Sequence, residues 1–288
     1  MPLRWKMQDV LCLDSSFYAD CADYTDRFPR LADTLLNGTV LVVNGVDHRI
    51  MEIEVYLDTA DHVDRYTHRD KDQGSPARWY FHRQSGGSYK GGTYKGLDIT
   101  LGFATPRPDT FGGVLIRSIQ SGTRGGLNGV DGVVETVGPC LVVDYLLRET
   151  KCTTITDLVA EIGTKTASLD VGVESKVYLR PAPALARLPV FRGPRVGLSY
   201  KYPELAVRDY RFLTNIGSVT KYKPSLAVNL LLTGKTCEEV AEITGSRQRD
   251  VERYQKLYDS GKELRGDPTR DLKPSNTSIV VLAGFMNR

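Results

Sequence analysis

What this 288-residue chain lacks narrows its roles before anything it contains does. No apolar run approaches the roughly 20 residues that a membrane-spanning helix needs. Its first residues, Met1-Pro2-Leu3-Arg4-Trp5-Lys6, run into Asp9 and Asp14 where a signal peptide would carry its hydrophobic stretch. Cysteine is scarce: Cys12, Cys21, Cys140, Cys152 and Cys237 are odd in number, widely spaced and without a CxxC. That pattern argues against a disulfide scaffold and a zinc site, and for a reducing compartment. There is no GxGxxG opening a helix, no P-loop and no GxSxG, so nothing points to a nucleotide cofactor or a hydrolase elbow. The expectation is an intracellular protein with no membrane association, no metal and no cofactor.

What is present is an ordinary globular composition, 41% hydrophobic and 25% charged, enough to bury a sizeable core. The net charge of +3 hides an uneven distribution. Between Lys176 and Lys223 ten Lys or Arg face only Glu204 and Asp209, and Tyr178, Tyr200, Tyr202, Tyr210 and Tyr222 are interleaved with them. Such a stretch suits a phosphate backbone, because cations neutralise phosphates and release counterions. The same pattern also arises as a solvated face balanced by acids elsewhere in a fold.

Residues 27–37 read as a short helix ended at Gly38, and 41–43 and 48–56 as two strands joined by the Asn44-Gly45 turn. In the second strand Ile50, Glu52 and Glu54 share one face, with Met51, Ile53 and Val55 on the other, if the alternation is unbroken. Residues 58–78 are too charged for core, 86–103 suggest a Gly-rich hairpin, and 111–119 a buried strand. Helices are expected at 139–148 and 156–162, strands at 173–179 and 207–213, and helices again at 226–232, 238–244 and 249–259. Short strands mixed with helices and no βαβ repeat predict an α+β fold around an antiparallel or mixed sheet. The boundaries predicted are a main domain over 1–224 and a helical extension over 225–288.

Glu54 near the end of an apolar strand is either a desolvated general base or a carboxylate held by an arginine. Arg117, inside VLIRSI, is the obvious partner, since an arginine there is costly to bury unpaired. A core ion pair of purely structural purpose fits the same residues. His62 and His68 stand with Asp58, Asp61 and Asp64 on a polar loop, but their spacing matches no metal-ligand pattern.

Several islands, in order from Arg30 to Lys221, resemble the alkyladenine (3-methyladenine) DNA glycosylases of the mammalian type. They are LLNG at 35–38, IEVYLDTAD at 53–61, His68 followed by Ser75-Pro76, VLIR at 114–117, Gly138-Pro139, and RGPRVGLSY at 192–200 with DYRFLTNIGSVTK at 209–221. The resemblance implies an enzyme that flips a damaged base out of double-stranded DNA and hydrolyses its N-glycosidic bond, as in base excision repair. It implies Glu54 as the base that activates water, Arg117 as the arginine that holds it, and Tyr56 and His68 as pocket residues. It also implies a nuclear location if the source is eukaryotic. A carboxylate suits an oxocarbenium-like transition state, and flat π-faces replace the lost stacking of an extruded base.

The residues depart from that family at 86–103, where SYKGGTYKGLDITLG stands in place of an apolar, tyrosine-rich hairpin. Tyr94 is the candidate wedge and Tyr89 a candidate pocket wall; Asp98, Thr100 or Gly102 takes the place of the family's pocket asparagine. A longer loop makes His62 a rival of His68. Residues expected to contact DNA are Lys90, Tyr94, Lys95, Arg195, Lys201 and Arg211. Beyond the resemblance, 233–262 reads as a helix-turn-helix with its turn at Gly245, capped by Thr236 or Ser246, with Val240, Ile243, Val251, Tyr254 and Leu257 as a small core. Arg249 then lies where DNA would be touched. Three roles stay open: a monofunctional DNA glycosylase, a non-catalytic binder of modified nucleic acid on the same fold, and a glycosylase for a non-alkyl base or for RNA.

Overall fold

The structure, a computed structural model, describes residues 6–105, 107–121, 134–163 and 175–288. The chain divides into two compact units, Met1–Val190 and Phe191–Arg288. The expected break near 225 therefore falls inside the second unit.

The first unit opens with α1 (Met7–Leu11) and α2 (Tyr24–Asn37), the latter capped by the Asp23 carboxylate accepting from the Thr25 N–H. Strands β1 (Thr39–Val43) and β2 (Val46–Asp58) form a hairpin through Asn44 and Gly45, whose φ values of 49° and 79° are those of a two-residue hairpin turn. Then come β3 (Trp79–Phe81), β4 (Leu97–Thr100), β5 (Phe111–Ser121), β6 (Val134–Val137), α3 (Pro139–Thr150), α4 (Ile155–Ile162) and β7 (Val177–Pro181). The sheet runs β3-β4-β5-β2-β1-β7, with β6 added to β5, and all of these ladders are antiparallel. Helix α2 packs on β1 and β2, and α3 on β5 and β6. The expected α+β class and antiparallel sheet are observed. Residues 173–174 of the strand expected at 173–179 lie outside the described residues.

Two expectations are corrected here. The alternation in β2 is broken: Ile50 pairs Ile119 and Glu52 pairs Ser118, but Ile53 pairs Ile116, so the ladder is irregular opposite Arg117. Consecutive residues from His48 to Val55 are buried, so this central strand is covered on both faces. The loop 59–78, charged as it is, is not wholly solvated. Asp58, Asp64, His62 and Gln73 are buried because local hydrogen bonds satisfy them, among them Asp64 N–H to Asp58 Oδ1 at 2.9 Å and Tyr66 N–H to Asp64 Oδ1 at 3.2 Å.

The second unit contains β8 (Phe191–Gly193), α5 (Pro203–Ala206), β9 (Arg211–Leu213), α6 (Lys223–Leu232), α7 (Cys237–Thr244), α8 (Gln248–Glu263) and α9 (Ser278–Met286). Strands β8 and β9 pair with each other and pack on α6, where a Cβ on Gly193 would lie 2.6 Å from Leu226 Cδ2. That packing is why the strand pair groups with the helices rather than with the first unit. Thr236 and Glu239 form a reciprocal capping box at α7, Gly245 (φ 64°) ends it, and Ala227, Val240 and Val251 join α6, α7 and α8 in one buried cluster. Ser246 is not the cap of α8; Arg247 is, and the Ser246 N–H bonds back to the Ala241 carbonyl at 3.0 Å. Helices α8 and α9 cross backbone to backbone, since a Cβ on Gly261 would stand 2.1 Å from the Val281 carbonyl oxygen. Among the described residues no helix is long and apolar enough to cross a membrane.

Candidate active site

Residues directly opposite one another in an antiparallel sheet share a face, so the register locates the functional side chains. One row runs Tyr80–Asp98–Leu115–Glu54 across β3, β4, β5 and β2. The row beside it runs Thr100–Gly113–Tyr56. On the other side His82 stands opposite Gly96, its N–H bonded to the Gly96 carbonyl at 3.0 Å. Leu115 thus separates two carboxylates, Glu54 and Asp98, each in its own polar cluster.

At Glu54, which is 0% exposed, the Tyr56 hydroxyl donates to Oε2 at 2.9 Å and an Arg117 terminal nitrogen lies 3.3 Å from Oε1. The Arg117 Nε donates to Glu52 Oε1 at 2.7 Å. Burial works to lower the pKa of the Arg117 guanidinium, but Glu54 and Glu52 outweigh it and hold it above its ordinary value. The irregular register opposite Arg117 puts the guanidinium between the two glutamates. The predicted Glu54–Arg117 contact is present, and Glu52, which sequence reasoning set on the same face without a role, completes it.

At Asp98, which is 2% exposed, His82 Nε2 lies 3.0 Å from Oδ1 and the Gln73 amide donates to Oδ2 at 3.4 Å. His68 joins from the loop: its ring is 4.4 Å from that of His82, its Nδ1 is 3.4 Å from the Tyr80 hydroxyl, and its Nε2 is 3.2 Å from Lys90 Nζ. An ammonium can only donate, so Nε2 of His68 is the acceptor and the imidazole is neutral. Burial first, and the neighbouring His82 next, lower the His68 pKa to about 4, although part of the residue remains exposed. Burial, with Asp70 and Asp98 nearby, raises that of Tyr80.

Two strand glycines make this arrangement possible. A Cβ at Gly113 would fall 2.7 Å from Asp98 Oδ2, and one at Gly96 would fall 2.5 Å from the His82 ring. The Asp98 carboxyl therefore leans over Gly113, the residue opposite Tyr56, which draws the two clusters toward each other. Of the three positions considered for the pocket asparagine, Asp98 lies in the cluster. The Thr100 hydroxyl donates instead to the Ser75 carbonyl, and Gly102 packs on Pro76.

Other expected site residues fall elsewhere. His62 is not the partner of this cluster: its Nδ1 is 2.8 Å from the Leu57 carbonyl oxygen and its ring packs on Tyr24 and Phe28 of α2. Tyr89 lies under the Arg83 guanidinium and against Phe81, beside the cluster rather than in it. Lys95 is ion-paired with Asp144 of α3. Arg195 and Arg211, expected on a DNA-contacting surface, are 0% and 1% exposed and donate to the carbonyls of Leu205 and Lys221. Burial removes both from any phosphate contact. Lys201 and Arg249 are exposed, and Tyr94 is 76% exposed on a short 3₁₀ turn. Among the described residues no three His, Cys, Asp or Glu side chains converge as metal ligands.

Over 227 residues the sequence is 37% identical to "Uncharacterized protein L759" of Acanthamoeba polyphaga mimivirus, covering 75% of this chain and 98% of that protein. The chain belongs to that protein's family. No family model matches it. The functional reading therefore rests on the geometry of the site. His82, Gln73 and Tyr80 were not singled out from the sequence, though glycine inside a strand, as at Gly96 and Gly113, signals a close approach.

Proposed function

We propose that the chain is a monofunctional N-glycosylase that flips a modified base from double-stranded DNA and hydrolyses its N-glycosidic bond. The observation that carries this reading is the fully buried Glu54, held by Tyr56 and Arg117 on the sheet face it shares with Asp98. Glu54 takes a proton from water as the water oxygen bonds to the anomeric carbon. The bonding pair of the broken C–N bond leaves with the base, which takes up a proton on departure. Asp98, His68 and Tyr80 supply polar atoms and ring faces for the extruded base. Tyr94, exposed between Lys90 and Lys95, fills the gap that the base leaves in the stack in this reading.

The test is single-turnover excision on duplex oligonucleotides that each carry one alkylated, deaminated or oxidised base, read by alkaline cleavage of abasic sites. Glu54→Gln is expected to lower the excision rate by roughly 10²–10⁴-fold, the usual contribution of a general base, while leaving DNA affinity nearly unchanged. Wild-type turnover in that variant would remove Glu54 from the mechanism. A second reading, a non-catalytic binder of modified nucleic acid, is favoured by the Gly- and Lys-rich segment 86–103 that stands in place of an apolar hairpin. Binding without scission across the whole panel would select it.

A further inference from the structure

Excision at Glu54 makes no use of α7 and α8, yet these two helices are built in a specific way. Three residues, Gly245, Ser246 and Arg247, join them, with Gly245 in the left-handed region at φ 64°. A short turn of this kind is the connection of helix-turn-helix motifs. Helix α6 completes a small core in which Ala227, Val240 and Val251 are buried together. Helix α8 buries Val251, Tyr258 and Gly261, and Gly261 meets the backbone of α9 closely. Held from that side, its first turns keep Gln248, Arg249, Glu252, Arg253 and Lys256 exposed.

The two helices differ in sign. Helix α7 carries Glu238, Glu239 and Glu242 and no Lys or Arg, whereas residues 247–256 carry four cations against Asp250 and Glu252. Both of those acids are engaged by α8 itself. Asp250 Oδ2 accepts from Arg247 Nε at 2.9 Å, with Arg253 3.8 Å from Oδ1, and Glu252 accepts from the Gln248 amide at 2.9 Å. The Arg249 and Lys256 side chains form no hydrogen bond or ion pair among the described residues. The exposed face thus offers a ligand mainly cationic donors.

We infer that α8 is a recognition helix that enters the major groove of duplex DNA, with Arg249 and Arg253 as its principal contacts. An α-helix fits that groove, and arginine matches both guanine edges and phosphates. The major groove of A-form RNA is too narrow for side chains to read, which makes DNA the partner. This surface belongs wholly to the second unit, and it binds unmodified duplex whether or not a base is excised elsewhere.

Fluorescence anisotropy of the full chain, with an unmodified DNA duplex and an RNA duplex of the same sequence, tests this. Arg249→Ala/Arg253→Ala is expected to weaken DNA binding by roughly tenfold or more and RNA binding much less. Both side chains are exposed and alanine favours a helix, so the variant keeps its fold. The control is Arg265→Ala/Arg270→Ala, which removes the same charge from two exposed arginines beyond the end of α8, about 20 Å along its axis from Arg249. Charge at that distance is screened, so the control should bind DNA within about twofold of the wild type.

No wild-type binding to the unmodified duplex, or unchanged affinity in the α8 variant, overturns the inference. So does an equal loss on DNA and RNA, or an equal loss in the control, since either would mark a general attraction of polyanions. Absence of scission on every modified base would sink the excision reading and leave the α8 result untouched.

Discussion

Two carboxylates on one sheet face, with Leu115 between them, are held in opposite ways. Glu54 answers to a permanent cation, Arg117, and to a phenol, Tyr56. Asp98 answers to His82, a cation only when protonated, and to the neutral amide of Gln73. The Arg117 guanidinium of the first cluster keeps its charge across the physiological pH range. In the second, the group that follows pH is His68. One end of the face is built as a fixed electrostatic device, and the other as an adaptable hydrogen-bonding one.

The largest expected effect is on the fixed end. Arg117→Leu removes a cation that the buried Glu52 and Glu54 share and should destabilise the protein by about 3–5 kcal/mol, measured by urea unfolding. His82→Leu removes one hydrogen-bonding partner of Asp98 and leaves Gln73, and should cost only about 1–3 kcal/mol by the same method. Equal losses in the two variants would erase the contrast. Gly113→Ala places a Cβ against Asp98 Oδ2 and should cost about 1–3 kcal/mol, with Asp98 displaced from the Gly113–Tyr56 side; a crystal structure of the variant checks this.

A smaller effect separates the two ends by pH. The unfolded chain protonates His68 near its ordinary value of 6.5, whereas the folded protein protonates it only near 4. Between those values the unfolded state binds more protons, so stability is complete above about pH 6.5 and falls as pH drops toward 4. His68→Gln should flatten that part of the stability–pH curve, and an unchanged slope would remove His68 from the titration. Smallest of all, Lys95→Ala breaks the partly exposed pair with Asp144 and should change stability by less than about 1 kcal/mol.

Much of this was legible in the residues because it is local. The Asn44-Gly45 hairpin follows from two residues that accept positive φ, and α7 with its Gly245 stop follows from the Thr236–Glu239 capping box and a glycine. The pairing of Glu54 with Arg117 followed from the cost of burying either alone in an apolar strand. Other parts were not legible. His62 and His68 sit six positions apart in one loop, and only the path of that loop sends the first under α2 and the second to His82. The basic stretch from 176 to 223 read as one cationic surface, yet Arg195 and Arg211 are buried on backbone carbonyls. Charge counted along a chain carries no information about which charges face water.

By itself, then, the sequence determined the α+β class, the principal turns and caps, and the need for Glu54 and Arg117 to meet, because each depends on neighbouring residues or on a single burial penalty. The tertiary structure alone decided that Glu52 shares the arginine and that Asp98 folds over Gly113. It also decided that the β8–β9 pair joins the helices of the second unit. Those outcomes depend on strand register and on packing between segments distant in sequence, and a register shift of one residue would turn every one of these side chains to the other face.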